Sequence, residues 1–277
     1  MKRFVYMLAP MEDVTDAAMR TLCYRHGADI TFTEMIRFDS LAKKIEGSLR
    51  MAELLDETPT WIQIVGSDEK QLKRYLHDFK PKKGFLGFNF NLGCPSFNLT
   101  DKGVGCAMVT RIAKTSKLLN IVRKAGYKAS IKMRLGLNDS EKRKKVYLNL
   151  IRQVNPDMFI VHSRVGTDTY DTPADHSVLK DCVASKKMIV ANGDIDTKEK
   201  VQEVRDYGAQ GVMIGRSAIC NPSIFNTLKG KPAVSIETLR AEYNLLADKF
   251  STPSKYRKNV LKHLGKNVST NNSEIKG

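Results

Sequence analysis

The stretch FLGFNFNLGCP, residues 85 to 95, has an apolar body and a polar end. Aromatic and β-favouring residues run from Phe85 to Phe90, and Asn91, a glycine, Cys94 and Pro95 follow. The apolar part is too short for an ordinary helix and reads as a buried strand. Pro95 blocks continued strand pairing, and the glycine before Cys94 permits a sharp turn. Seven other runs share this design: FVYMLAPM (4–11), DITFTEM (29–35), WIQIVG (61–66), ASIKMRLG (129–136), DMFIVHSR (157–164), KMIVANGD (187–194) and GVMIGR (211–216). Between several of them lie helix-like segments with ordinary punctuation: TDAAMRTLCYRHG, DEKQLKRYLHDFK before Pro81, TSKLLNIVRKAG and DTKEKVQEVRDYG.

Buried strands alternating with helices imply parallel βαβ units. Eight strands in this span fit an α/β fold of the (β/α)8 TIM-barrel type. The competitor, a doubly wound open sheet, needs fewer strands and a GxGxxG turn after the first; no such turn occurs. After Phe225 the pattern changes. GKPAV reads as a linker, and IETLRAEYNLLADKF and SKYRKNVLKHLGKNV read as two helices. The second is strongly basic, with Lys255, Arg257, Lys258, Lys262, His263 and Lys266, and STNNSEIKG reads as a frayed end. The expected organisation is a barrel over residues 1–230 and a small, basic C-terminal helical extension over 231–277.

The 277 residues are 42% hydrophobic and 27% charged, enough for a real core and against wholesale disorder. A net charge of +16 favours partners that carry phosphate, nucleic acid first. The five cysteines, Cys23, Cys94, Cys106, Cys182 and Cys220, are widely spaced and contain no CxxC pair. That argues against a metal site or disulfide framework and for a reducing, cytoplasmic setting. No run has the length of a membrane span, and the N-terminus lacks the design of a signal peptide.

In such a barrel the chemistry gathers at the carboxyl ends of the strands. Reading those ends gives Met11, Glu34, Gln63, Asn91, Cys94, Lys132, Arg134, His162, Arg164, Asn192 to Asp194, Gly215 and Arg216. Each has a bland reading: a solvated lysine, a satisfied core histidine, a thiol that is a small buried hydrophobe. VANGDI and GVMIGRSA, after the seventh and eighth runs, read as a phosphate cup or as two tight turns.

Taken in order, LAPMEDVTD, TEM, WIQIVGSD, FNFNLGCP, KGVGCAMV, IKMRLG, VHSR, ANGDI and GVMIGRSAICNPSIF resemble the tRNA-dihydrouridine synthase family over most of residues 5–226. The resemblance implies a barrel that binds FMN non-covalently and takes electrons from NADPH, with NADH as a further candidate. It implies hydride transfer from flavin N5 to C6 of a uridine in tRNA, with Cys94 giving the proton to C5. A free thiol, with a pKa of about 8.5, is mostly protonated at pH 7 and suits that step. By the same resemblance Pro10, Met11, Gln63, Lys132 and His162 border the flavin ring. Asn192, Gly193, Asp194, Gly215 and Arg216 border its phosphate. Asn91, Arg134, Arg164 and Tyr170 meet the substrate, with Lys132 reaching both ring and base. No metal is implied, and a monomer is expected.

The segment SRVGTDTYDTPAD departs from the family, where a glycine and an Arg-Thr pair usually follow the histidine. The C-terminal helical part is also shorter than in bacterial relatives. Two other readings fit parts of the pattern. One is a flavin enzyme acting on a free pyrimidine, of the dihydroorotate or dihydropyrimidine dehydrogenase type. The other is an RNA-binding protein built on an old flavin barrel.

Overall fold

Two-residue periodicity sorts the strand side chains into two populations. Tyr6, Leu8, Ile62, Ile64, Phe88, Phe90, Ile131, Phe159, Val161, Val212 and Ile214 join the large core between strands and helices. Their alternates Met7, Trp61, Met158, Ile160, Val190 and Met213 pack against one another inside the ring of strands. The computed structural model describes residues 3–267.

The strands are β1 (Val5–Leu8), β2 (Thr31–Phe32), β3 (Ile36–Arg37), β4 (Thr60–Val65), β5 (Phe85–Leu92), β6 (Ala129–Met133), β7 (Phe159–His162), β8 (Ile189–Asn192) and β9 (Gly211–Ile214). All pairings are parallel, in the order β1-β9-β8-β7-β6-β5-β4-β2, with β3 a second short partner of β4. The bridge Met7↔Ile30 brings β1 back to the start of β2 and closes the ring. The run read as one strand over 29–35 is therefore β2 alone, and the chain leaves and rejoins β4 at β3. Thr33 explains part of the break, because its hydroxyl bonds the Gln63 N–H at 3.0 Å.

The β4–β5 register shifts between Thr60 and Trp61, and the extra residue sits beside Gly87. Gly87 has φ +147°, and a Cβ there would stand 2.5 Å from the Trp61 ring and 2.6 Å from the Lys128 carbonyl. No side chain fits at that point of the wall.

Helices not read from the sequence occupy Phe38–Ala42, Glu46–Ala52 and Val146–Gln153. Glu46–Ala52 buries none of its residues, so it carries no periodic apolar signal. The four anticipated βα helices are present as Ala17–Arg25, Glu69–Asp78, Ile112–Lys124 and Lys198–Asp206.

The C-terminal helices Ile236–Lys249 and Ser254–His263 pack on the barrel beside β1. The first buries Leu239, Tyr243, Leu246 and Ala247, and its Glu242 takes bonds from Arg25 at 2.9 Å and His26 at 2.7 Å. The second is less purely a basic face than its sequence implies. His263 is buried, Lys255 pairs with Asp13 and Arg257 with Asp248. The segment read as frayed, 269–277, lies outside the described residues.

Glu34, 3% exposed, joins this extension to the barrel. Its carboxyl accepts from the Tyr256 hydroxyl at 2.5 Å and from the Asp13 N–H at 2.6 Å. Burial nevertheless dominates those bonds, helped by nearby Asp13 and Asp16, and pushes the carboxyl up to about 7. A carboxyl that gains proton affinity on folding contributes stability that is complete below its ordinary value of 4.5 and is lost as pH rises through 7. Measured against Glu34→Gln in urea at a series of pH values, the wild type should lose about 3 kcal/mol across that window. Parallel stability curves for the two proteins would remove Glu34 as the cause.

Candidate active site at the carboxyl end of the barrel

The same alternation that sends Trp61, Ile160 and Val190 inward sends Gln63, His162 and Asn192 inward one step further along β4, β7 and β8. Asn89 and Asn91 on β5, and Ser130 and Lys132 on β6, take the matching places. A polar layer thus lies on an apolar one. It is internally bonded: Asn89 donates to Ser130 at 2.8 Å, Gln63 donates to Asn89 at 2.7 Å, and Asn91 donates to Gln63 at 2.9 Å. Above this layer opens a cavity of about 420 Å³. All fifteen residues that the resemblance assigns to the site, from Pro10 to Arg216, border it, whereas Glu34, read with them at a strand end, does not and is engaged by Tyr256 and Asp13 instead.

Asn91 also shapes the turn that follows it. Its side-chain oxygen accepts the N–H groups of Gly93 and Cys94, each at 2.9 Å, an Asx-type arrangement. The Cys94 carbonyl accepts the Cys106 N–H at 2.9 Å. The Cys94 thiol is left half-buried at the cavity edge, packed with Met35 against Val65, Leu99 and Val104. The other four cysteines are buried. Cys106 is the instructive contrast: its thiol donates to the Gly136 carbonyl at 3.1 Å, and burial pushes it up to about 12.

The Lys132 ammonium makes no hydrogen bond or ion pair with any described residue, although it borders the cavity. Burial, with Arg134 beside it, pulls its ammonium down to about 8. His162 is held well below its ordinary value by burial first, then by Lys132, Arg134, Arg164 and Arg216. It is a neutral imidazole whose Nε2 accepts from Arg164 at 3.2 Å.

Arg134 and Arg164 support the loop after β7. Arg134 donates to the carbonyls of Val165 at 2.7 Å and Asp168 at 3.2 Å. Arg164 donates to Thr172 and Tyr170 carbonyls and, at 2.6 Å, to Asp194. Asp194 also takes Arg216 at 2.8 Å and the Ala174 N–H at 3.0 Å. Burial works against that carboxylate, but the Arg164 bond prevails and holds it below its ordinary range. Arg216 lies over the Tyr170 ring at 4.0 Å, so Tyr170 stands at the Arg216 end of the cavity. The turn Gly193–Asp194 has φ +109° and +51° in succession, an uncommon backbone that the two arginines hold in place.

A sequence profile of the dihydrouridine synthase (Dus) family matches residues 7–275. This chain belongs to the dihydrouridine synthase family. It is 30% identical over 233 residues to a probable tRNA-dihydrouridine synthase 2 of Bacillus subtilis, covering 79% of this chain and 70% of that one. It is 32% identical over 247 residues to a probable tRNA-dihydrouridine synthase of Helicobacter pylori, covering 85% and 74%. With tRNA-dihydrouridine synthase B of Pseudomonas putida it shares 31% over 227 residues, 80% and 67% of the two chains. Among solved structures, a variant of morphinone reductase in complex with tetrahydroNAD superposes with TM-score 0.56 at 9% identity, covering 86% of this chain and 90% of that one. That likeness is one of fold, and it places the chain among (β/α)8 barrels. The family makes the protein an oxidoreductase.

Residues missed by reading strand ends are those that brace them. Asn89 and Ser130 sit mid-strand, and their only signal was a polar residue inside an apolar run. His176 accepts no notice in the sequence, yet its Nε2 meets the Gly193 carbonyl at 2.7 Å and steadies the turn. Glu12, Asp196 and Lys200 border the cavity from loops where charge is unremarkable. Among the described residues no group of three or more His, Cys, Asp or Glu is placed to hold a metal, and no helix is long and apolar enough to cross a membrane.

Proposed function

We propose that this chain reduces the C5–C6 double bond of a uridine in tRNA to 5,6-dihydrouridine, with FMN in the cavity and NADPH as reductant. The observation that carries the reading is the pairing of Cys94, half-buried at the cavity edge, with Lys132, a half-buried ammonium without a side-chain partner in the wall. A partly desolvated cation is costly until something electron-rich lies against it.

Three features suit FMN. Lys132 offers its charge to an electron-rich ring. The N–H groups of Gly193 and Gly215 donate to no described residue, and both border the cavity next to Arg216, a fitting cradle for phosphate. A Cβ at Gly193 would stand 2.9 Å from His162 and 3.0 Å from Ala174, so only glycine leaves the backbone open there. The volume lies within the range of about 300–1,000 Å³ usual for ligand pockets.

When bound, the flavin supplies the hydride. The chain's own residues do the rest. Cys94, fixed by Asn91, gives its proton to C5. Lys132 offsets negative charge developing on the ring or on the uracil carbonyl. His162, neutral and bonded to Arg164, borders the ring without adding charge. Pro10, Met11 and Gln63 shape the ring's bed, with Asn192 and Asp194 at the phosphate end. Asn91, Arg134 and Arg164 form the substrate side by holding the loops that face it, and Tyr170, expected there, stands instead against Arg216 at the phosphate end. A net charge of +16 suits a polyanion. Residues 1–230 act as the catalytic barrel and 231–277 as the tRNA-gripping extension, in a monomer working in a reducing cytoplasm.

The test is anaerobic. The flavin of the purified protein is reduced with NADPH, unmodified tRNA is added, and the return of the oxidised flavin band is followed. The expected result is reoxidation by tRNA, with one dihydrouridine formed per flavin reoxidised. Reoxidation by orotate or free uracil, with none by tRNA, would replace this reading with a free-pyrimidine dehydrogenase.

A further inference from the structure

Phe97 stands three residues beyond Cys94 and is 76% exposed, the most exposed of the large hydrophobic side chains described. Nothing in the fold uses it. The single helical turn Phe97–Thr100 turns Leu99 inward, 7% exposed, against Val65 and Val104. Phe97 is left facing out, flanked by the exposed residues Pro95, Ser96 and Asn98. The turn itself is braced by backbone hydrogen bonds. The Ser96 carbonyl accepts the N–H groups of Leu99 at 2.9 Å and Thr100 at 3.0 Å, and the Phe97 carbonyl accepts Asp101 at 3.0 Å. An exposed aromatic ring on a hydrogen-bonded turn, three residues along the chain from the cavity-lining Cys94, is a preformed contact surface.

We propose that Phe97 is the stacking platform for the nucleotide next to the reduced uridine. The inference rests on the reading above that the substrate is tRNA. Three residues of chain span at most about 11 Å, so Phe97 lies within reach of a nucleotide adjoining the base that Cys94 serves. For that base to meet the cavity it must leave its stack, which strips one face of its neighbour. An aromatic ring restores that lost face with any base, without hydrogen-bond readout. Phe97 therefore contributes affinity and register, and leaves the choice of sequence to other contacts.

The test uses the full chain loaded with flavin, as wild type, Phe97→Ala, Phe97→Leu and Phe97→Trp. Affinity for unmodified tRNA, KM and kcat for dihydrouridine formation, and flavin reduction by NADPH are measured for each. Stacking predicts that Phe97→Ala raises Kd and KM for tRNA by at least about fivefold. Phe97→Leu should remain impaired, Phe97→Trp should match wild type, and flavin reduction should be equal in all four. The slope of affinity against salt should not change, because no phosphate contact is removed. Full recovery by leucine would make the contact merely apolar and overturn the platform. So would wild-type affinity in Phe97→Ala, or a change in its self-association with tRNA affinity intact. A wild type that forms no dihydrouridine overturns the tRNA reading and the platform together; an active wild type matched by Phe97→Ala overturns the platform alone.

Discussion

Replacing Cys94 with alanine should slow the oxidation of the prereduced enzyme by tRNA by about 10²–10⁴-fold, the usual worth of a positioned proton donor. Flavin content, flavin reduction by NADPH and tRNA affinity should stay within about twofold of wild type, as expected when only a transition-state interaction is removed. The geometry makes this separation sharp. The backbone at Cys94 is held from both sides by groups other than its side chain: the Asn91 oxygen takes its N–H, and the Cys106 N–H bonds its carbonyl. Removing the sulfur therefore leaves the turn in place. Single-turnover absorbance measurements, followed by mass analysis of the tRNA, check the result. An alanine variant that reoxidises at the wild-type rate would take the proton from elsewhere. A variant that loses its flavin would make Cys94 a structural residue.

Arg164→Ala should be among the most damaging single changes in the protein for stability. The side chain is 1% exposed and serves four partners: Thr172 at 2.6 Å, Tyr170 at 3.2 Å, His162 at 3.2 Å and Asp194 at 2.6 Å. Truncation leaves Asp194, itself partly buried, with Arg216 as its remaining ion-pair partner, and leaves the loop after β7 without its anchor. Breaking a buried pair from one side costs about 3–5 kcal/mol. For a chain of this size that corresponds to a fall in Tm of about 10 °C. Arg164→Lys should recover only part of it, since a single ammonium cannot replace a fork that reaches two carbonyls and a carboxylate. Thermal melts of the three proteins settle the matter, and an alanine variant melting within about 2 °C of wild type would show that the network carries little.

The barrel was legible because every strand repeats one plan, an apolar body closed by a polar end, and the two-residue period carries the polar ends to one face. Where the plan is interrupted, the sequence misleads. DITFTEM is β-rich throughout, yet only Thr31–Phe32 pair as β2, because the Thr33 hydroxyl takes a neighbouring strand's N–H instead of continuing the ladder. The helix Glu46–Ala52 was invisible since it buries no face. Lys255 and Arg257 read as free positive charge, but each finds a carboxylate that is distant in sequence or on the facing helix.

The candidate site was legible as a set of positions and less so as a set of jobs. The family resemblance makes Asn91 and Arg134 ligands of the substrate. The structure gives the first a turn to hold and the second a loop to hold. A residue's spacing from a strand end reveals that it can face the cavity. For Asn91 the engaged atoms lie two and three residues on, a local Asx-type turn, whereas for Arg134 they depend on chain folded back from 31 and 34 residues away, which is not written in local pattern.

The ring of strands is joined to itself at β1 and the start of β2 by one bridge, Met7↔Ile30, where its other joints are multi-residue ladders. A hoop with a thin weld yields at the weld. The two C-terminal helices lie over that place like a splint, one resting on the helix that follows β1 and the other pinned to Glu34 just past β2. Closure of the hoop is thereby shared between its own ladder and packing applied from outside, next to Pro10 and Met11, which form the near wall of the cavity.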